Sequence, residues 1–261
     1  MNDQTRPGVI GIFDTGIGGI SILGRIREQL PNQPLVYLAD QGNAPYGSQT
    51  LDQVRVHARD ATRMLLGRGA DVIVIACNTA SAAALYELRN EFVDVPFVGM
   101  EPAVKPAVAG SRTRKIGVLA TEATFQGELY ANVVDRHATG AVVVAQACPG
   151  LADLVERGDL EGPRAIELVS SFVEPLIKSG VDTLVLGCTH YAFVADLIAS
   201  IAGPDIEIID PAEAIARQVG RVLAERNLIG EEPTNDVSYI TTGDTDVFDH
   251  QLEWLAKHLA R

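Results

Sequence analysis

Nine short runs of aliphatic and β-branched residues punctuate the chain, most of them apolar at nearly every position. They are Val9–Phe13, Leu35–Ala39, Val72–Ala76, Phe97–Gly99, Lys115–Ala120, Ala141–Ala145, Thr183–Gly187, Ile206–Ile209 and Ser238–Thr241. Between them apolar residues recur three or four apart, as in Ile20, Leu23, Ile26 and Leu30, which gathers them on one helix face. A strand that is apolar throughout must be covered on both sides. Strands that alternate with helices are joined by crossovers, so the pattern predicts parallel sheets flanked by helices, an α/β fold.

The pattern also repeats. Ile10-Gly-Ile-Phe-Asp-Thr15 resembles Ile116-Gly-Val-Leu-Ala-Thr121, Asp71-Val-Ile-Val-Ile-Ala-Cys77 resembles Asp182-Thr-Leu-Val-Leu-Gly-Cys188, and Glu101-Pro-Ala103 resembles Asp210-Pro-Ala212. The three matches fall in order at nearly one offset, which predicts two related halves facing each other across a cleft. The first half is expected at residues 1–99 and the second at 100–210. Residues 211–261, a helix, a polar link, a strand and a last helix, are expected to return to the first half and make it discontinuous.

Composition narrows the function. The chain has 261 residues, 47% hydrophobic and 21% charged, with 21 Lys and Arg against 34 Asp and Glu and a net charge of −13. Such an acidic surface repels phosphate backbones, so no nucleic-acid partner is expected. No apolar run reaches the roughly 20 residues of a membrane-spanning helix, and the first residues carry no apolar stretch of leader type. A cytoplasmic protein with no membrane partner is expected.

Three cysteines, Cys77, Cys148 and Cys188, form no CxxC pair and no familiar metal spacing, so no metal site is expected. Two of them stand at equivalent places in the repeat, each after a buried strand and before a predicted helix. A thiol at a helix N-terminus is expected to have its pKa lowered from about 8.5, because amide donors and the helix dipole favour the anion. Asn78 and Thr189 follow and can cap those helices, which is the plain structural alternative for them, while their main-chain N–H groups can hold a carboxylate. Two facing thiols suit one task. One takes a proton from one face of a carbon and the other returns a proton to the opposite face.

The other strand tips are polar as well, and in parallel α/β sheets ligands sit beyond the carboxyl ends of strands. Asp14 is placed to tune Cys77, and His190 to tune Cys188. Pro45-Tyr46-Gly47 forms a tight turn that presents a hydroxyl and an amide. Thr15 and Thr121 are repeat partners, and either hydroxyl is a candidate ligand. Cys148 is read as structural or pocket-lining. Glu156, on the helix that follows, is balanced between an assisting role and a solvated surface position. Gly16-Ile-Gly-Gly19 is no phosphate loop, since no lysine follows it, and no other cofactor site is evident.

These residues resemble a known family. Gly11-Ile-Phe-Asp-Thr-Gly-Ile-Gly-Gly19, Ala44-Pro-Tyr-Gly47, Ile75-Ala-Cys-Asn-Thr-Ala-Ser81, Ala147-Cys-Pro149, Leu186-Gly-Cys-Thr-His-Tyr191 and Thr241-Thr-Gly-Asp244 are similar to motifs of the glutamate racemases, in the aspartate/glutamate racemase superfamily. The resemblance implies two pseudo-symmetric domains, no cofactor, and interconversion of L- and D-glutamate for peptidoglycan. It implies Cys77 and Cys188 as the acid/base pair, assisted by Asp14, Glu156 and His190. Asp14-Thr15, Tyr46-Gly47, Asn78-Thr79 and Thr189-His190 would contact substrate, and a homodimer is expected. Two positions depart from the family pattern, Thr15 in place of Ser and Asn43 in place of His. The short stretch before Val9 argues against activation by a cell-wall nucleotide precursor. Related aspartate or hydantoin racemases, a decarboxylase, and a non-catalytic binding or inhibitor protein are the competing readings. Both cysteines are kept, which counts against the last two.

Overall fold

A computed structural model describes residues 6–259; residues 1–5, part of the stretch read above as lacking a leader, lie outside the described residues. The strands are β1 (Ile10–Asp14), β2 (Leu35–Ala39), β3 (Val72–Ile75), β4 (Phe97–Gly99), β5 (Lys115–Ala120), β6 (Val142–Ala147), β7 (Thr183–Leu186), β8 (Glu207–Ile209) and β9 (Val237–Thr241). Each falls within two residues of its expected ends. They build two sheets, ordered β4-β3-β1-β2-β9 and β6-β5-β7-β8, and every pairing is parallel. The second order read backwards is β8-β7-β5-β6, strand for strand the first four of the other sheet. The sequence repeat is therefore a repeat of topology, and β9 is an addition to the first sheet.

The apolar pattern explains which strands lie inside. β1, β2, β3 and β7 are buried at every residue, while β6, β8 and β9, at sheet edges, are partly exposed. Helices cover both faces of each sheet by their apolar stripes; Ile22, Leu23 and Ile26 of the helix Ile20–Gln29 are buried. One continuous apolar cluster runs from Ile12 and Ile17 through Leu154 and Val155 to Tyr191 and Phe193, joining the two sheets' surroundings. Each such side chain contributes about 1.5–3 kcal/mol when taken out of water.

Matching polar positions also do matching jobs. Asp71 accepts from Arg6 and from the main-chain N–H of Val9. Its repeat partner Asp182 accepts from the Ser111 hydroxyl and from the N–H groups of Arg112 and Thr113. Each carboxylate ties the segment before one strand to the start of its neighbour. Burial works against the charge of Asp182, and those donors outweigh it and hold the carboxyl down at about 2. Among the described residues, no helix is long and apolar enough to cross a membrane.

Candidate active site

Because every strand is parallel, the carboxyl ends within each sheet share one edge, and polar residues collect there. Asp14 ends β1, Asp40 follows β2, Cys77 lies just beyond β3, Thr121 follows β5, Cys148 follows β6 and Cys188 lies just beyond β7. A cavity of about 260 Å³ opens among them. Asp14, Thr15, Pro45, Tyr46, Gly47, Cys77, Asn78, Thr79, Thr121, Cys188, Thr189 and His190 all line it. Cys77 comes from the first sheet and Cys188, with Cys148 also in the wall, from the second.

The two thiols have different surroundings. Cys77 is the N-cap of the helix Asn78–Glu91, and its Sγ accepts from the Ala80 N–H at 3.4 Å. The expected lowering of its pKa does not occur. Burial first, and then the charge of Asp14, push the Cys77 thiol well above its usual range, against the pull of the Ala80 and Thr79 amides. A helix N-terminus favours a thiolate only where water or a cation shares the cost of the charge. Cys188 starts no regular helix; a 3-10 segment, Thr189–Val194, follows it, and its sulfur caps nothing. Its Sγ lies 3.7 Å from His190 Nδ1.

The structural alternative for Asn78, capping its helix, does not hold, because the sulfur of Cys77 takes that role. Both polar atoms of the Asn78 side chain are buried without a hydrogen-bond partner among the described residues. Burying an amide unpaired costs a few kcal/mol, so such a group beside a cavity marks a ligand position. Thr189 is no cap either. Its hydroxyl donates to Asp14 Oδ2 at 2.8 Å.

Asp14 is fully buried. Its Oδ1 accepts from the Thr15 N–H at 2.5 Å and from the Thr15 hydroxyl at 3.0 Å. The extra methyl of Thr15 therefore leaves its hydroxyl in use. Tyr46 is buried and lines the cavity, but its hydroxyl proton is not left for a ligand. It donates instead to Asp40, which also accepts from Thr242 at 2.6 Å and from Asn43. Asn43 thus helps Asp40 to hold the turn that carries Gly47. The Thr121 hydroxyl shares a cluster with Thr79 and Thr124, each at 2.9 Å from it.

Glu156 does not line the cavity and is not a solvated surface residue. Its Oε1 accepts from the Ile17 N–H at 2.8 Å and meets His190 Nε2 at 2.7 Å. Burial works against a charged His190, but hydrogen bonds to Cys188 and Glu156, and their charges, outweigh it and hold the imidazole well above the usual histidine range. Burial likewise opposes a charged Glu156, and the His190 and Ile17 hydrogen bonds overcome it and hold the carboxyl below its ordinary range. The glycines make room for this approach. A Cβ on Gly16 would collide with the Glu156 carboxylate, and one on Gly18 with His190 and Thr189.

Sequence reasoning missed Ser48, Glu122 and, apart from Cys148, the wall formed by Ala147, Pro149, Gly150, Ala152 and Asp153. The one available signal was Cys-Pro-Gly directly after a strand. Cys148 itself is buried, and burial with the charge of Cys188 pushes its thiol upward.

The family model described as Asp/Glu/Hydantoin racemase matches residues 18–219. A glutamate racemase of Pseudomonas entomophila is 44% identical over 94% of this chain and 92% of its own length. The chain belongs to the glutamate racemase family. It is accordingly an isomerase. Among solved structures of the family, a glutamate racemase isoform of Bacillus anthracis superposes with a TM-score of 0.88 at 32% identity, over 95% of this chain and 94% of the other. The glutamate racemase of Francisella tularensis, solved in complex with D-glutamate, gives a TM-score of 0.83 at 26% identity, over 97% of this chain and 94% of the other.

Proposed function

We propose that this protein interconverts L- and D-glutamate, with Cys77 and Cys188 exchanging acid and base roles. The observation that carries the reading is that Cys77 and Cys188, at equivalent places in the two sheets, line one cavity beside an unpartnered buried Asn78. In one direction the thiolate of Cys188 takes the proton from Cα of L-glutamate, and the bonding electron pair stays on Cα. The thiol of Cys77 then delivers its proton to the opposite face, leaving Cys77 as the thiolate. The reverse direction starts from that state. The substrate ammonium, held beside Cys77, would favour its thiolate against the cost of burial.

Asp14 and Thr15, Pro45 to Gly47, Asn78 and Thr79, Thr121, and Thr189 and His190 are the proposed substrate contacts. His190, backed by Glu156, assists Cys188, and Asp14 assists Cys77. The chemistry asks for two acid/base groups, and the site has them in protein side chains, so we read the reaction as cofactor-independent. The two sheets are taken as cores of two domains, residues 1–99 with 211–261 and residues 100–210, with the cavity between. Family membership supports the wider reading: a cytoplasmic homodimer that supplies D-glutamate for peptidoglycan.

Circular dichroism of purified protein with L-glutamate or L-aspartate, dialysed and with nothing added, tests this. Optical rotation of L-glutamate should decay to zero. Activity that vanishes on dialysis and returns only with an added cofactor would overturn the cofactor-independent part, and preference for aspartate would overturn the substrate.

A further inference from the structure

Gln251, on the last helix, Thr245–Leu259, is buried yet does not line the cavity. Its Nε2 donates to the main-chain oxygen of Glu156 at 2.9 Å and to the carboxylate Oε2 at 3.0 Å. Its Oε1 accepts from Gln41 Nε2 at 2.6 Å. Gln41 Oε1 in turn accepts from the Thr241 hydroxyl at 2.9 Å. This chain fixes the amide orientation, since turning Gln251 over would set its oxygen against two acceptor oxygens of Glu156.

A tie between the last helix and the Leu151–Glu156 helix needs only the bond to the main-chain oxygen. The second bond reaches the carboxylate whose other oxygen holds His190. A glutamine there also has a chemical advantage, because it donates to the carboxylate without titrating.

We propose that Gln251 is a positioning residue for the reaction: it fixes the Glu156 carboxylate, and through it the orientation and charge of His190 at Cys188. Gln41 is its support. The inference rests on the assignment of His190 to Cys188 made above. Without Gln251 the carboxylate keeps the Ile17 N–H, His190 and a longer contact to Gln41 at 3.4 Å. It then turns more freely, its hydrogen bond to His190 Nε2 is less well aligned, and His190 holds its own proton less tightly. The titratable groups around Glu156 are His190 and, from β2, Tyr37, whose hydroxyl feels the Glu156 charge. Cys188 lies beyond His190, and Asp14 acts on Tyr37 from the β1 tip.

The test uses the full chain and the substitutions Gln251→Met and Gln41→Met, with Glu253→Gln, exposed on the same helix, as control. Histidine nitrogen NMR follows the His190 titration, identified by its loss in His190→Asn. Gln251→Met should lower the His190 midpoint by about one pH unit, Gln41→Met should lower it less, and the control should leave it in place. In turnover, Gln251→Met should lower kcat/KM about tenfold in both directions, as the unchanged equilibrium requires, with kcat carrying the loss for L-glutamate. An unmoved His190 midpoint in both folded methionine variants overturns the proposal. A moved midpoint with unchanged turnover overturns its link to the reaction. If the unsubstituted chain racemises no glutamate, the functional reading fails separately, and the NMR titration still decides what Gln251 does.

Discussion

The hydroxyl of Thr189 donates to Oδ2 of Asp14 at 2.8 Å, joining the tip of β1 to the residue beside Cys188. The same carboxylate raises the pKa of Cys77. Asp14 is therefore bonded on one side of the cavity while its charge acts on the thiol of the other side.

That dual position separates two effects of Asp14→Asn. Removing the charge takes away one cause of the raised Cys77 pKa, so alkylation of Cys77 at fixed neutral pH should quicken. Racemisation should nonetheless slow by about two orders of magnitude, with unequal kcat losses and deuterium isotope effects in the two directions. Mass-spectrometric alkylation rates and directional kinetics check this. Faster turnover would refute the assisting role, and equal slowing in both directions would make Asp14 a plain structural cap.

Cys77→Ser and Cys188→Ser should each reduce racemisation by several orders of magnitude, more than the roughly 10²–10⁴ typical of one general acid or base. Each face needs its own proton carrier. Cys148→Ser should stay within a few-fold, because the proposed transfer does not use that buried thiol. A single serine variant that keeps near-full activity in both directions would refute the two-base mechanism.

Asn78→Leu should raise KM for glutamate about tenfold or more while leaving Tm unchanged or higher. Without ligand, the amide has no hydrogen-bond partner among the described residues, so folding loses nothing when it goes. Binding loses its donor and acceptor. A drop in Tm of several degrees with unchanged KM would show that Asn78 serves the fold instead.

The Glu156–His190 pair makes stability depend on pH. Glu156 binds its proton less tightly folded than unfolded, so its contribution is complete above the ordinary value of 4.5 and is lost as pH falls through the lowered folded value. His190 binds its proton more tightly folded, so its contribution is complete below 6.5 and is lost as pH rises through the raised value. Both are present in full between those two limits. The Tm advantage of the unsubstituted protein over Glu156→Gln should therefore peak there, at several degrees, and shrink on either side. Calorimetry from pH 4 to 9 checks it, and a flat difference would contradict it.

Strands, order of elements and both site thiols were readable because each is written locally, in runs such as Val72–Ile75 and in the repeat around Cys77 and Cys188. What escaped is long-range. Glu156 meets Ile17 across 139 positions and Gln41 meets Gln251 across 210, and neither pairing leaves a mark in hydrophobic spacing. The expected thiol shift at Cys77 failed for a related reason. The helix end is local and visible, whereas the burial that outweighs it is a property of the folded whole. The Tyr46 hydroxyl was assigned to the ligand because its partner, Asp40, carried no signal distinguishing it from an ordinary loop residue.

The two sheets share a strand order, yet the repeat is broken where it matters. Counting from the paired strands, Asp14 faces Ala120 as its counterpart, and His190 faces Thr79. Two identical half-chains meeting on a true twofold axis would be bound to carry the same side chains on either side. Every improvement to one wall would be copied on the other. With both halves on one polypeptide, that bond is cut. The wall with Cys77 and the wall with Cys188 are free to diverge residue by residue, and catalysis of a mirror-symmetric reaction has come to rest on a scaffold that is no longer symmetric.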